Sequence, residues 1–123
     1  MGTMYNEQGL SPQAQDLHRA LASLIEELEA VDWYNQRADV TPDAALKAIV
    51  IHNRNEEMEH AAMALEWIRR AVPEFDQCLK TYLFTTGEIT AIEEAAAGGE
   101  GAAEAPAAPA GDLGIGRLAK GGK

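Results

Sequence analysis

Glu57 and His60 stand three residues apart in the run NEEMEHAAM, residues 55–63. On a helix that spacing puts a carboxylate and an imidazole on one face, aimed at a common point. Carboxylate oxygen with imidazole nitrogen suits iron or manganese, and zinc accepts the same set. The stripe that this pair interrupts gives it weight. Leu46, Val50, Asn53, Glu57, His60, Ala64, Trp67 and Ala71 recur at alternating spacings of 4 and 3, which is a heptad seam. A carboxylate in the middle of a packing face loses hydration and must be paired or bind a metal. Asn53 reads as a register-fixing polar residue and takes no ligand role.

Two long helices are needed to position this pair. The first begins at Ser11, a capping residue followed by Pro12 at the first helical position. Leu17, Leu21, Leu24, Leu28 and Val31 form its apolar stripe, and it is expected to run to Gln36 or Arg37. A second cap-and-proline signal, Thr41-Pro42, opens a helix expected to run to Val72, where Pro73 stops it. Residues 74–84 and 88–95 predict short further helices, separated by a break at Thr85-Thr86-Gly87. The short connection between the long helices makes them antiparallel neighbours, so residues near 27 lie beside residues near 57. Of the first helix's acids, Glu27 falls on the wheel beside Ala20 and Val31. Glu26 and Glu29 point away, and Asp32 is short.

One chain thus offers one Glu and one Glu-x-x-His. Di-iron carboxylate bundles take a Glu from each of two helices and a Glu-x-x-His from each of the other two. The chain carries half of such a set. A two-helix hairpin also leaves half of its apolar stripe wet, so a second copy is expected to close both the core and the site. The class read from the sequence is all-α: an antiparallel two-helix hairpin with a short C-terminal helix, becoming a four-helix bundle on dimerisation.

The totals exclude other functions. Ten basic against twenty acidic residues leave a net charge of −10, which repels nucleic acid and anionic membranes. Residues 1–95 hold 17 acids and 7 bases, and residues 96–123 three of each, so the charge sits on the helical part. The single cysteine, Cys78, cannot form an internal disulfide. No apolar run approaches a membrane span, and the start MGTMYNEQG lacks signal-peptide character. The cytoplasm is the expected compartment. By composition, residues 1–10 are a mobile N-terminus, 11–95 the helical domain, 96–111 a flexible linker and 112–123 a separate tail.

Glu26, Glu29 and Glu59 fall on the outer helix face, either as a solvated surface or as a route that draws cations to the site. Tyr34 lies near Glu27 on the wheel and either bonds a ligand, limits access or packs in the core or an interface; packing is also a reading for its neighbour Trp33. His18 and His52 show no partner in the sequence and read as surface residues.

The runs EELEAVDWYNQR (26–37), HNRNEEMEHAAMALEWIRR (52–70) and TYLFTTGEITAIEEA (81–95) resemble the encapsulated ferritin family. The resemblance implies a ferritin-like fold, ferroxidase activity, a di-iron centre across a dimer interface, and dimers assembled into a ring-shaped decamer. It places the iron ligands on Glu27, Glu57 and His60, which the wheel selects independently. It places an acidic metal-entry site on Glu26 and Glu29 with Trp33 beside it, and a tyrosine near the metal at Tyr34. Glu57 is read as the bridging carboxylate, with Glu27 as the alternative. The segment from Asp112 to Leu118, with Leu113, Gly114, Ile115, Gly116 and Leu118, resembles the peptide that docks cargo inside an encapsulin shell. A rival reading makes the chain a structural or adaptor helical dimer, its polar seam fixing register. Another makes it a di-iron peroxidase or an oxygen sensor.

Overall fold

The computed structural model describes residues 7–98, together with the backbone of residues 114–115 and 117–118. It is all-helical: α1 spans Pro12–Val40, α2 Ala44–Ala71, α3 Pro73–Tyr82 and α4 Ile89–Gly98. Gly114–Ile115 and Arg117–Leu118 pair side by side in extended backbone. Only one residue separates them, whereas true parallel strands need a long crossover, so they form a local loop and no sheet.

The start of α1 is as expected. The Ser11 hydroxyl accepts a hydrogen bond from the Ala14 N–H at 3.1 Å, and Pro12 occupies the first turn. The turn between α1 and α2 differs from the sequence reading. Thr41 does not open α2. Its N–H donates to the Arg37 carbonyl at 2.9 Å and closes α1, which therefore continues three residues further, to Val40. The cap of α2 is Asp43, whose Oδ2 accepts from the Leu46 N–H at 2.8 Å. Both residues are good caps, but Asp43 adds a full negative charge at the positive end of the helix dipole. At the other end of α2, Glu66 receives the Arg69 and Arg70 guanidinium groups at 2.7–2.8 Å. Those cations hold its carboxyl down at about 2.

The chain divides into two compact units between Ala71 and Val72. The first is the α1–α2 hairpin. Its buried hydrophobic residues are Ala22, Ala38, Val50, Ala61 and Ile68. Three of these five are alanines, so the packed seam is thin. Leu28, Leu46, Ile49, Met63 and Trp67 are all more than 40 % exposed, which leaves the hairpin with the wet apolar surface that the stripe predicted. The second unit holds α3 and α4. Phe84, just past the end of α3, has φ 63° and is 91 % exposed. A bulky side chain in the left-handed region is strained by about 1 kcal/mol or more. The Glu88 carboxylate caps α4 by accepting from the Ala91 N–H at 2.9 Å and from the Thr90 hydroxyl. That helix runs past residue 95 to Gly98, three residues into the expected linker, because Ala95, Ala96 and Ala97 are strong helix formers. The expected mobile N-terminus lies mostly outside the described residues, as do the rest of the linker and most of the tail.

Candidate metal centre

Glu27 lies mid-way along α1, and Glu57 and His60 lie mid-way along α2. Antiparallel pairing brings the three together. Each offers one donor atom, and these atoms all lie within 4.8 Å of one another. His60 Nδ1 is 3.3 Å from Glu57 Oε1 and 3.7 Å from Glu27 Oε1. Two donors bound at about 2.1 Å to one ion stand roughly 3 to 4 Å apart, so the two distances from His60 suit a common metal. The nitrogen that faces both carboxylates is Nδ1, which makes it the candidate donor atom. Side-chain exposure is 28 % at Glu27, 24 % at Glu57 and 43 % at His60, so the cluster opens on the His60 side.

The electrostatics are those of a site short of positive charge. Glu27 hydrogen-bonds to Glu57, and this bond, with burial and the repulsion of the second carboxylate, raises the Glu27 carboxyl. Glu57, accepting from Glu27 and His60, is lowered. His60 is raised, chiefly by its hydrogen bond to Glu57 and then by the charge of Glu27 and Glu57. The Glu27 carboxyl thus holds its proton to a higher pH than usual, and so does the His60 imidazole. A cation entering the site must displace these protons. The expected result is metal affinity that rises with pH. A Zn(II) titration should show the dissociation constant increasing as pH falls from about 7.5 to about 5.5, by up to about tenfold per pH unit for each proton displaced. An affinity independent of pH over that range would show that His60 is not a ligand.

The other candidates are placed differently. Glu26 and Glu29 are exposed on α1 and join no group of three metal-ligating side chains among the described residues. Trp33 is 56 % exposed. Tyr34 is half-buried, and its ring carries the Arg37 guanidinium at 5.6 Å from the centroid. The sequence reading missed this stacking, although the i,i+3 spacing of Tyr34 and Arg37 could have signalled it. It also read His18 and His52 as partnerless surface residues. His52 is exposed but lies 3.7 Å from Glu56, while His18 is half-buried with a side-chain interaction of its own. Asp32 is exposed and accepts from Gln36. Of the residues expected to dock, Leu113 and Gly116 lie outside the described residues, and no side chain is described at Ile115 or Leu118.

An all-α hairpin with two carboxylates and an imidazole converging between its helices defines a ferritin-like protein with a candidate metal centre. The chain belongs to the EncFtn-like family, whose model matches residues 2–86. It is 54 % identical over 114 residues to an encapsulated ferritin-like protein of Rhodospirillum rubrum, covering 89 % of this chain and 81 % of that one. It is 49 % identical to a ferritin-like protein of Thermotoga maritima, covering 96 % of this chain and all of the relative. An encapsulin nanocompartment cargo protein of Myxococcus xanthus is 36 % identical over 75 % of each chain. A crystal structure of a Nitrosomonas europaea protein superposes with a TM-score of 0.68 at 61 % identity, covering 69 % of this chain and 96 % of that one.

Proposed function

We propose that the protein is a ferroxidase that oxidises Fe(II) to Fe(III) with dioxygen at a di-iron centre shared by two copies of the chain. We further propose that it works as cargo inside an encapsulin nanocompartment in the cytoplasm. The observation that carries the activity is the convergence of Glu27, Glu57 and His60. Three donors are too few for an iron ion, which takes up to six. Two copies related by a two-fold axis supply four carboxylates and two imidazoles, the donor set of a di-iron carboxylate bundle. The wet apolar surface of the hairpin supports the same association. A coupled pair of Fe(II) ions supplies two electrons, enough to reduce dioxygen to hydrogen peroxide.

Each residue has a defined task. Glu57 holds its charge to low pH and attracts the first cation, and it is the candidate bridge between two irons. Glu27 would serve as one terminal ligand, with His60 Nδ1 as the other. Exposed Glu26 and Glu29, with Trp33 beside them, form an entry route that concentrates cations near the site. Tyr34, held by Arg37, limits access from the α1 side. The names of the Rhodospirillum and Myxococcus relatives support the encapsulin partnership. A ring-shaped decamer is the assembly we propose, and its mineral would collect in the shell because an open ring encloses no cavity.

Anaerobic Fe(II) titration followed by mass measurement of the intact assembly tests this reading. About one iron per chain is expected, carried by even-numbered oligomers and absent from the monomer. Iron bound stoichiometrically by the monomer would overturn the shared centre. Dimers that take up no iron would leave a purely structural pairing of helices. Faster turnover of peroxide than of dioxygen with Fe(II) would replace the ferroxidase by a peroxidase.

A further inference from the structure

We infer that Asn35 and Arg54 clamp α1 against α2 in the register that brings Glu27 opposite Glu57 and His60. Both are positioning residues, and the inference rests on the reading of that cluster as a metal centre. Arg54 Nη1 donates to Asn35 Oδ1 across the hairpin at 3.0 Å. Arg54 Nε and Nη2 both donate to Asn55 Oδ1, at 3.2 and 3.1 Å. The grip on its own neighbour fixes the plane of the guanidinium and leaves the Nη1 edge turned to α1. Only arginine carries a planar fork of donors that holds two amide oxygens in this way.

The packing around the cluster leaves register for such a contact to decide. The buried hydrophobic residues of the hairpin are Ala22, Ala38, Val50, Ala61 and Ile68, and alanine ridges are too shallow to resist sliding. Residues 41–43 join the helices, and an extended connection of that length spans about 10 Å, enough to give by a few ångström. The cluster tolerates less. Its donor atoms lie within 4.8 Å of one another, and metal–ligand distances must hold to about 0.2 Å. A shift of about 1 Å is therefore felt.

Clamp and cluster belong to one register. From Asn35 to Glu27 is eight residues back along α1, and from Arg54 to His60 is six forward along α2, the opposed senses of an antiparallel pair. Arg54 stands one turn before Glu57 on the same face of α2. Its role is one of geometry, and the sign of its effect shows this. Arg54 is ionised at every working pH. Acting through space, its charge opposes a cation beside Glu57, so its removal would tighten metal binding. As a clamp, its removal weakens metal binding.

The test titrates Co(II) into the intact chain, with visible absorption reporting both occupancy and coordination geometry. Asn35→Ala and Arg54→Ala are each expected to raise the dissociation constant by about tenfold and to alter the band. The double variant should lose no more than either single one, because the two side chains act as one unit. Asn35→Asp keeps an acceptor for Arg54 and should bind at least as tightly as the parent. The Asn35–Arg54 bond is exposed, so the variants are expected to stay helical, which circular dichroism checks at the temperature of titration. Unchanged or tighter binding in Arg54→Ala would overturn the inference. So would additive losses in the double variant, or an Asn35→Asp variant as weak as Asn35→Ala. A parent chain that takes up no Co(II) would instead strike the metal centre itself.

Discussion

Glu57→Ala is expected to abolish Fe(II) oxidation, lowering its rate on the order of 100-fold or more, because each shared centre loses both candidate bridging carboxylates at once. The same variant should change the melting temperature little, because the Glu57 side chain is 24 % exposed and the loss of its hydrogen bonds to Glu27 and His60 is offset in part by the repulsion from Glu27 that is relieved. Loss of activity with a little-changed melting temperature is the pattern of a cluster kept for chemistry. A polar patch kept only to fix helix register would behave in the opposite way: the variant would destabilise the dimer and leave iron chemistry, if any, unaltered. Stopped-flow absorbance and thermal unfolding on one preparation separate the outcomes. Full iron occupancy and undiminished oxidation in Glu57→Ala would end the ferroxidase reading.

The second large effect is expected from the other end of the chain. Deleting residues 112–123 should leave iron oxidation intact and reduce loading into a co-expressed encapsulin shell by on the order of tenfold or more. Leu113, Ile115 and Leu118 are the only large apolar residues after residue 95, and anchors of that kind on a linear motif fit a hydrophobic groove. Since α4 ends at Gly98, thirteen residues separate the helix from Asp112. The flexible linker expected from their composition would span about 20 Å. The triple change of Leu113, Ile115 and Leu118 to alanine should reproduce the deletion. Loading that persists in both variants would show that another surface engages the shell.

The elements that could be read from the sequence are those with one strong local cause. Ser11 and Pro12 start α1 as their chemistry requires, and Pro73 ends α2 by opening α3. Glu27, Glu57 and His60 were legible because helical geometry and antiparallel pairing leave few alternatives. Where two causes competed, the sequence alone did not decide. Thr41 and Asp43 are both capping residues, and only the hydrogen bonds show that Thr41 closes one helix while Asp43 opens the next. The heptad seam of α2 was right at its middle and drifted at its ends. A straight helix rotates about 20° per heptad against a strict seven-residue repeat. Accordingly Ala61 and Ile68 are buried while Leu46 and Trp67 are half-exposed. Contacts between side chains of one helix, such as Arg37 over Tyr34, leave no mark in apolar periodicity.

The single Glu27–Glu57–His60 set on each hairpin has a consequence for genetics. A centre built as we propose, from two identical half-sites, would have no allele that touches one half alone, so every substitution in the gene would be written twice at each centre. The work of the first iron therefore cannot be dissected from that of the second by ordinary mutagenesis. Co-expressing two differently tagged copies, one intact and one altered, would yield mixed dimers in which a single half-site is changed. Dosage in such mixtures also matters. If altered and intact chains pair at random in equal amounts, only about a quarter of centres keep both halves unaltered, so one defective copy acts dominantly.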